Sequence, residues 1–253
     1  IDDLCWSMDA MMLGAGVGYG LLEEFEIRFP PLGGGVIHHT IPDSREGWVE
    51  SVRNLLQYRL QGFQVEFDYG RIRAAGQPNK GFGGTSGGPA PLRTLHRRLQ
   101  AYAEAREGSL SSSLRFLADA INSIGLCVVS GNVRRGAQIL LCPAGSGWRR
   151  EFLSLKAGGG LPSPEWKSFL SGGGDSPLLQ NNRLLSLQDR PLVAGLSNNS
   201  LLLETAEDFL QIPEIVEKVL ERGEPGFLNK INISKFGRFG HPGEVPPDAA
   251  TGC

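Results

Sequence analysis

Leu126-Cys-Val-Val129, Ser130-Gly-Asn-Val-Arg-Arg-Gly-Ala-Gln138 and Ile139-Leu-Leu-Cys142 follow one another without a break, so that two short apolar runs enclose a glycine-bounded loop with two adjacent guanidiniums. Each apolar run reads as a buried strand, being short and bounded by turn-forming residues. On that reading Arg134 and Arg135 sit at a strand end, where α/β proteins place their ligands. A pair of arginines is more commonly a solvated turn, so the loop gains meaning only from the segments around it.

Upstream, Leu92 to Ser123 is helical in pattern, with Leu110, Leu114, Leu117, Ile121 and Ile124 on one stripe and a turn at Gly108 to Ser113. Helix then feeds strand, loop and strand, the alternation of an α/β fold. Asp43 with Glu46 resembles a capping box, and Trp48, Val52, Leu55, Leu56 and Leu60 recur at helical spacing as far as Gly62. Phe63 to Phe67 alternates as a strand would. Downstream, Thr205 caps a helix bearing Phe209, Ile215, Val216, Val219 and Leu220, which Pro213 kinks or restarts and Gly223 ends. Phe227 to Ile233 reads as a further strand. Residues 143 to 193 are rich in Gly, Pro, Ser and Asn, with Trp148, Phe152, Trp166 and Phe169 as their core contacts.

Two glycine-rich segments carry different messages. Gly14-Ala-Gly-Val-Gly-Tyr-Gly20 is not the dinucleotide fingerprint, since the last glycine of Gly-x-Gly-x-x-Gly falls where this chain has Tyr19 or Leu21. It is read as a helix end and strand start packed against a neighbouring backbone. Gly76 to Pro89 holds six glycines, whose backbone N–H groups can face an anion while Lys80, Thr85 and Ser86 supply side-chain donors. It lacks the spacing of a phosphate-binding P-loop, and by itself such a segment is more often a mobile linker than a site.

Composition sets bounds. The 253 residues are 40% apolar, enough for a sizeable core, and a net charge of -2 with a pI near 6.1 gives no general attraction to nucleic acid or anionic membrane. No apolar run reaches membrane-spanning length and no signal-peptide pattern opens the chain, so the reading is cytoplasmic. Four cysteines, Cys5, Cys127, Cys142 and Cys253, lie far apart with no Cys-x-x-Cys pair, which argues against a zinc site or a disulfide framework. Cys127 and Cys142 read as buried core thiols. His38 and His39 are adjacent and point different ways, His96 and His241 have no matching cluster, and no metal is expected. Glu23, Glu24 and Glu26 read as a solvated acidic face. Asn198, Asn199 and Ser200, wedged against Leu201 to Leu203, suit an Asx or Ser/Thr turn or the wall of a cavity.

Four segments taken together resemble the adenosylcobalamin-dependent ribonucleotide reductases, nearest to the monomeric ribonucleoside-triphosphate reductases. They are Met8-Asp-Ala-Met-Met-Leu-Gly-Ala-Gly-Val-Gly18, Ile41-Pro-Asp-Ser-Arg-Glu-Gly-Trp48, the stretch from Ile72 to Pro89, and Asn122 to Gln138. Weaker matches follow at Ser197-Asn-Asn-Ser200 and Gly223-Glu-Pro-Gly-Phe-Leu-Asn229, in the order and spacing of the family. One departure is Gly136, where relatives more often carry Ser, which places one hydrogen bond of that loop in question.

The resemblance implies an α/β fragment, about the first half of a ten-stranded barrel, with residues 1–253 as one partial barrel domain. It implies a substrate wall at Ser197, Asn198, Asn199 and Ser200. It also implies effector contacts at Lys80, Gly83, Gly84, Thr85, Ser86, Asn132, Arg134 and Arg135, with the loop 130–138 linking the effector and substrate sites. The parent enzyme would reduce ribonucleoside triphosphates with adenosylcobalamin as radical source, a deoxynucleoside triphosphate as effector and a thioredoxin-type dithiol as reductant. The thiyl and redox cysteines would lie outside this chain, the thiyl cysteine in an Asn-Pro-Cys-Gly-Glu motif beginning just after Cys253. Cys253 itself has no Asn-Pro before it and reads as a spacer or as the first residue of an inserted intein. The chain is accordingly read as a piece of something longer, inactive as a reductase by itself. A non-catalytic nucleotide-binding module is the alternative; a nicotinamide oxidoreductase lacks its fingerprint.

Overall fold

The computed structural model describes residues 1–79, 83–107, 112–130, 136–156 and 194–236. Its centre is a four-stranded, wholly parallel sheet in the order β1 (Gly16–Gly20), β4 (Ala137–Pro143), β5 (Ser197–Leu203), β6 (Gly226–Asn229). A second sheet pairs β2 (Val36–Thr40) with β3 (Gln64–Asp68) in parallel through the crossover helix α2 (Arg45–Arg59). The expected α/β class is therefore present as a parallel sheet with helices. The helices α1 (Asp2–Met12), α3 (Ala90–Glu107) and α4 (Ser113–Val129), with the short α5 (Arg149–Ser154) after β4, share one apolar core with β1, β4 and β5.

Side-chain alternation divides the main sheet into two faces. Val17, Tyr19, Leu140, Cys142 and Leu201 point to the helix layer and belong to the main core. The other face carries Gly18 beside Ile139 and Asn198 on one rung, and Gly20, Leu141, Ser200 and Gly226 on the next. Glycine brings no side chain to that face, which leaves Asn198 and Ser200 as its polar groups.

Punctuation residues explain the local structure. The expected cap of α2 is displaced by one residue, because Ser44 Oγ accepts from Gly47 N at 3.0 Å while the Asp43 carboxylate is taken by Arg73 at 2.7 Å. The helix expected after Thr205 is interrupted and restarts as α6 (Ala206–Phe209) and α7 (Ile212–Arg222), with Pro213 in the first turn of α7 and Gly223 at φ +73° ending it.

Two expectations are overturned. Leu126 to Val129 is not a strand but the last turn of α4, a helix with only Arg115 and Asp119 charged along its length and buried on nearly every side. Gly125 interrupts its apolar pattern because a Cβ there would lie 2.5 Å from Gln138 Oε1, so helix and strand approach through it. Phe227 to Ile233 is likewise strand only as far as Asn229. There the Asn229 side chain accepts from Asn232 N at 3.0 Å and starts α8 (Lys230–Phe236).

Candidate nucleotide-binding site

The glycine-rich segment folds back on itself as a small hairpin. Gly76 N donates to Ser86 O, Ser86 N to Gln77 O and Asn79 N to Gly84 O, at 2.9, 2.7 and 2.9 Å, and Pro78 bridges to Thr85. These bonds use N–H groups that the sequence reading left free for an anion. Gly83 and Gly84, with φ +77° and +73°, turn the chain near the tip, where an L side chain would be strained. Lys80 lies outside the described residues. Ser86 Oγ accepts from Gly88 N at 2.9 Å, which leaves its hydroxyl hydrogen to donate, and Thr85 is exposed. Arg73 fastens the hairpin base, donating to Asp43 and, at 3.1 Å, to Pro78 O.

Behind the hairpin, α3 is tied to the smaller sheet by a buried imidazole. Ser51 Oγ donates to Trp48 O, so it accepts from His96 Nε2, while His96 Nδ1 accepts from Tyr69 Oη at 2.8 Å. Phe67 stacks on the ring at 4.0 Å, and the Arg93 guanidinium lies 4.8 Å from the centre of the Tyr69 ring. Burial holds the His96 pKa down at about 3, so the ring is neutral and structural.

The residues before the arginine loop are helix rather than the expected strand. The loop enters the amino end of β4. Asn132, Arg134 and Arg135 lie outside the described residues, but both stems of the loop are in place. Ser130 ends α4 and donates to Cys127 O at 2.6 Å; Gln138 Nε2 donates to Ile121 O at 2.9 Å. Ser130 meets the hairpin, because a Cβ on Gly87 would come 3.5 Å from Ser130 O and 3.3 Å from Pro91. Gln138 pairs in register with Ser197 on β5. One short segment thus touches the hairpin at one stem and the candidate substrate strand at the other.

Ser197 to Ser200 form the first half of β5 and not an Asx or Ser/Thr turn. Alternation sends them to opposite faces. Ser197 and Asn199, 1% and 5% exposed, point under the helices, where Ser197 Oγ donates to Asn199 Oδ1 at 3.1 Å. Asn198 and the half-buried Ser200 face the glycine-lined side. A Cβ on Gly226 would lie 2.7 Å from Ser200 Oγ, so this glycine keeps the serine in its place.

Sequence reading missed the group that fixes this end of the sheet. Lys156 Nζ donates to Ser197 O and lies 2.6 Å from Glu224 Oε2, joining the starts of β5 and β6. Burial lowers the Lys156 pKa, against the pull of the Glu224 carboxylate. Glu224 stood out in its motif, but nothing in Phe-Leu-Ser-Leu-Lys156 marks the lysine. The acidic run, read as solvated, is partly engaged: Glu24 Oε1 accepts from Ser146 Oγ and Gly147 N.

Residues 27–101 match the family described as "B12-dependent ribonucleotide reductase, insertion domain". Those residues contain the smaller sheet, α2, the hairpin and most of α3, the part that separates β1 from its neighbour β4. The chain is 34% identical over 235 residues to the adenosylcobalamin-dependent ribonucleoside-triphosphate reductase of Euglena gracilis, covering 92% of this chain and 28% of that protein.

The chain belongs to the adenosylcobalamin-dependent ribonucleotide reductase family.

A probable reductase of the same name from Dictyostelium discoideum is 34% identical over 92% of this chain and 29% of its own length. The enzyme of Lactobacillus delbrueckii subsp. bulgaricus is 31% identical over 80% and 24%. The chain therefore spans less than a third of the length of these curated reductases.

Proposed function

We propose that this chain is the part of a ribonucleoside-triphosphate reductase that receives a deoxynucleoside triphosphate effector and forms one wall of the ribonucleotide site. The parent reduces ribonucleoside triphosphates to 2′-deoxyribonucleotides with a thioredoxin-type reductant, in the cytoplasm. The observation that carries this reading is the position of residues 130–138, one stem against the effector-side hairpin at Gly87 and the other paired with the substrate strand at Ser197. In this arrangement Gly83, Gly84, Thr85 and Ser86, with Lys80, Asn132, Arg134 and Arg135, hold the effector. Asn198 and Ser200 face the substrate, and Ser197 and Asn199 hold the strand beneath them. The four parallel strands are a contiguous part of the ten-stranded barrel, interrupted after β1 by the insertion.

On this reading the radical and reducing thiols lie outside the described cysteines, none of which stands in an Asn-Pro-Cys-Gly-Glu motif. Cys5, Cys127 and Cys142 are buried, and burial pushes Cys127 up to about 12 and Cys142 to about 11, so both stay protonated at neutral pH. Adenosylcobalamin supplies the parent with a homolysable cobalt–carbon bond. The residues described here do not fit it as ligands. Both nitrogens of His96 are engaged, His38 lies beside Glu66, His39 lies beside Asn54, and among the described residues no three His, Cys, Asp or Glu side chains gather as a metal site. Among the described residues, no helix is long and apolar enough to cross a membrane.

The test is Arg135→Lys in the full-length parent, since a lysine cannot copy the bidentate contacts of a guanidinium. Competition among four ribonucleotides at saturating effector should show an altered base preference with total turnover largely kept. An unchanged preference contradicts the assignment of this loop.

A further inference from the structure

A cavity of about 980 Å³ opens at the carboxyl ends of the four parallel strands, the edge of the sheet opposite the arginine loop. Gly20 and Leu21 close β1 there, Pro143 ends β4, and Glu204 and Lys230 follow β5 and β6 directly. Its deep wall is the main core seen from outside: Leu4, Tyr19, Phe29, Leu56 and Phe116 all belong to that core. At the mouth, Leu22, Phe25 and Leu60 are 39%, 41% and 39% exposed. The strap that carries Phe25 is fixed, since Ile27 N donates to Ser113 Oγ at 2.7 Å.

Chemistry narrows the occupant. Three carboxylates, Asp3, Glu23 and Glu204, stand among the lining residues against one ammonium, Lys230, which is 2.6 Å from Glu204. An acidic mouth repels phosphate, so neither nucleotide of the proposed function belongs here. The apolar wall asks instead for large apolar side chains, and the acidic mouth for a cation beside them. More than two thirds of the length of the reductase relatives lies outside the region this chain matches.

We infer that this cavity is an intramolecular docking seat for a segment of the parent reductase outside these 253 residues, which inserts apolar side chains and sets a Lys or Arg against Asp3 and Glu23, the two carboxylates that Lys230 leaves unneutralised. The inference rests on the reading that the chain is part of a longer reductase. Seating that segment completes the core at the carboxyl edge and ties the insertion, through α2, to the remainder of the enzyme.

The experiment places a photo-cross-linking amino acid at Leu60, and separately at Leu22, in the full-length parent, with Leu32 as an exposed control that does not line the cavity. Mass spectrometry of the irradiated protein should find Leu60 and Leu22 joined within one polypeptide to a segment outside residues 1–253 that carries apolar residues next to Lys or Arg, at yields several-fold above Leu32. Cross-links to a second copy or to another protein overturn the docking seat, as do cross-links confined to residues 1–253 or yields no greater than at Leu32. Reductase activity of the same preparations keeps the two readings apart. Activity without the cross-link removes the docking seat alone, and the cross-link without activity removes the proposed function alone.

Discussion

Gly87, Gly125 and Gly136 show how differently a missing side chain can act in one structure. At Gly125 a Cβ would sit 2.5 Å from Gln138 Oε1, so Gly125→Val should displace the buried Gln138 amide from its bond to Ile121 O and destabilise the protein by about 1–3 kcal/mol, read from denaturant unfolding. At Gly136 the nearest atoms are 3.4 and 3.7 Å away, ordinary contact, so Gly136→Ser should leave stability within about 0.5 kcal/mol. A serine side chain thus fits where this chain has glycine. Lys156→Met should cost about 1–3 kcal/mol by leaving the Glu224 carboxylate half-buried without its partner, less than the loss for a fully enclosed pair. His96 adds a pH dependence of known sign. Its folded pKa, about 3, lies below its ordinary 6.5, so the unfolded chain takes up a proton that the folded one refuses. Stability contributed by the neutral ring is complete above pH 6.5 and is lost as pH falls from 6.5 towards 3. Melting temperatures of the parent and its His96→Gln variant should therefore converge through that window, and parallel curves would exclude the effect.

Among the elements, those with strong periodicity or clear punctuation were legible from the amino acids. The stripe Val52, Leu55, Leu56 places α2, Ile139 to Cys142 places β4, and Pro213 with Gly223 bounds α7. β2 was missed because Val36-Ile-His-His-Thr40 exposes alternate residues and sets His38 against Glu66 across the strands, a pattern without an apolar signal. Leu126 to Val129 misled because a short apolar run after glycine fits a buried strand and a buried helix equally. Ser197 to Ser200 misled because polar residues suggest a turn, whereas two of them satisfy each other beneath the helices. The site was legible as glycines, donors and guanidiniums, but its assembly was not. The Gly87–Ser130 approach and the Gln138–Ser197 register are tertiary, and no local pattern encodes them. The hairpin should also respond to ligand: hydrogen exchange on the parent should show greater protection of residues 76–89 with saturating deoxynucleoside triphosphate than without it. Equal protection would remove the effector assignment.

For the whole molecule, the insertion and the sheet meet where regulation would have to pass. Residues 27–101 add a second small sheet whose helices α2 and α3 pack against α1 and α4 in one common core, and α3, whose start at Ala90 follows the hairpin, lies close to the end of α4. Allostery requires two sites that bias one shared element, and on the proposed function that element is the segment whose described ends, Ser130 and Gln138, meet the hairpin and β5. The most direct measurement is a four-substrate competition assay on the parent and its Gly87→Val variant, with and without each deoxynucleoside triphosphate. At Gly87 a Cβ would make ordinary contact with Ser130 O at 3.5 Å and a tighter one with Pro91 at 3.3 Å, so it is the two further methyls of valine that add bulk between the hairpin and Ser130, away from Asn198 and Ser200. Turnover without effector should be retained while the effector-dependent ratios among the four products flatten towards the effector-free values; ratios that still follow the effector as in the parent would contradict the account.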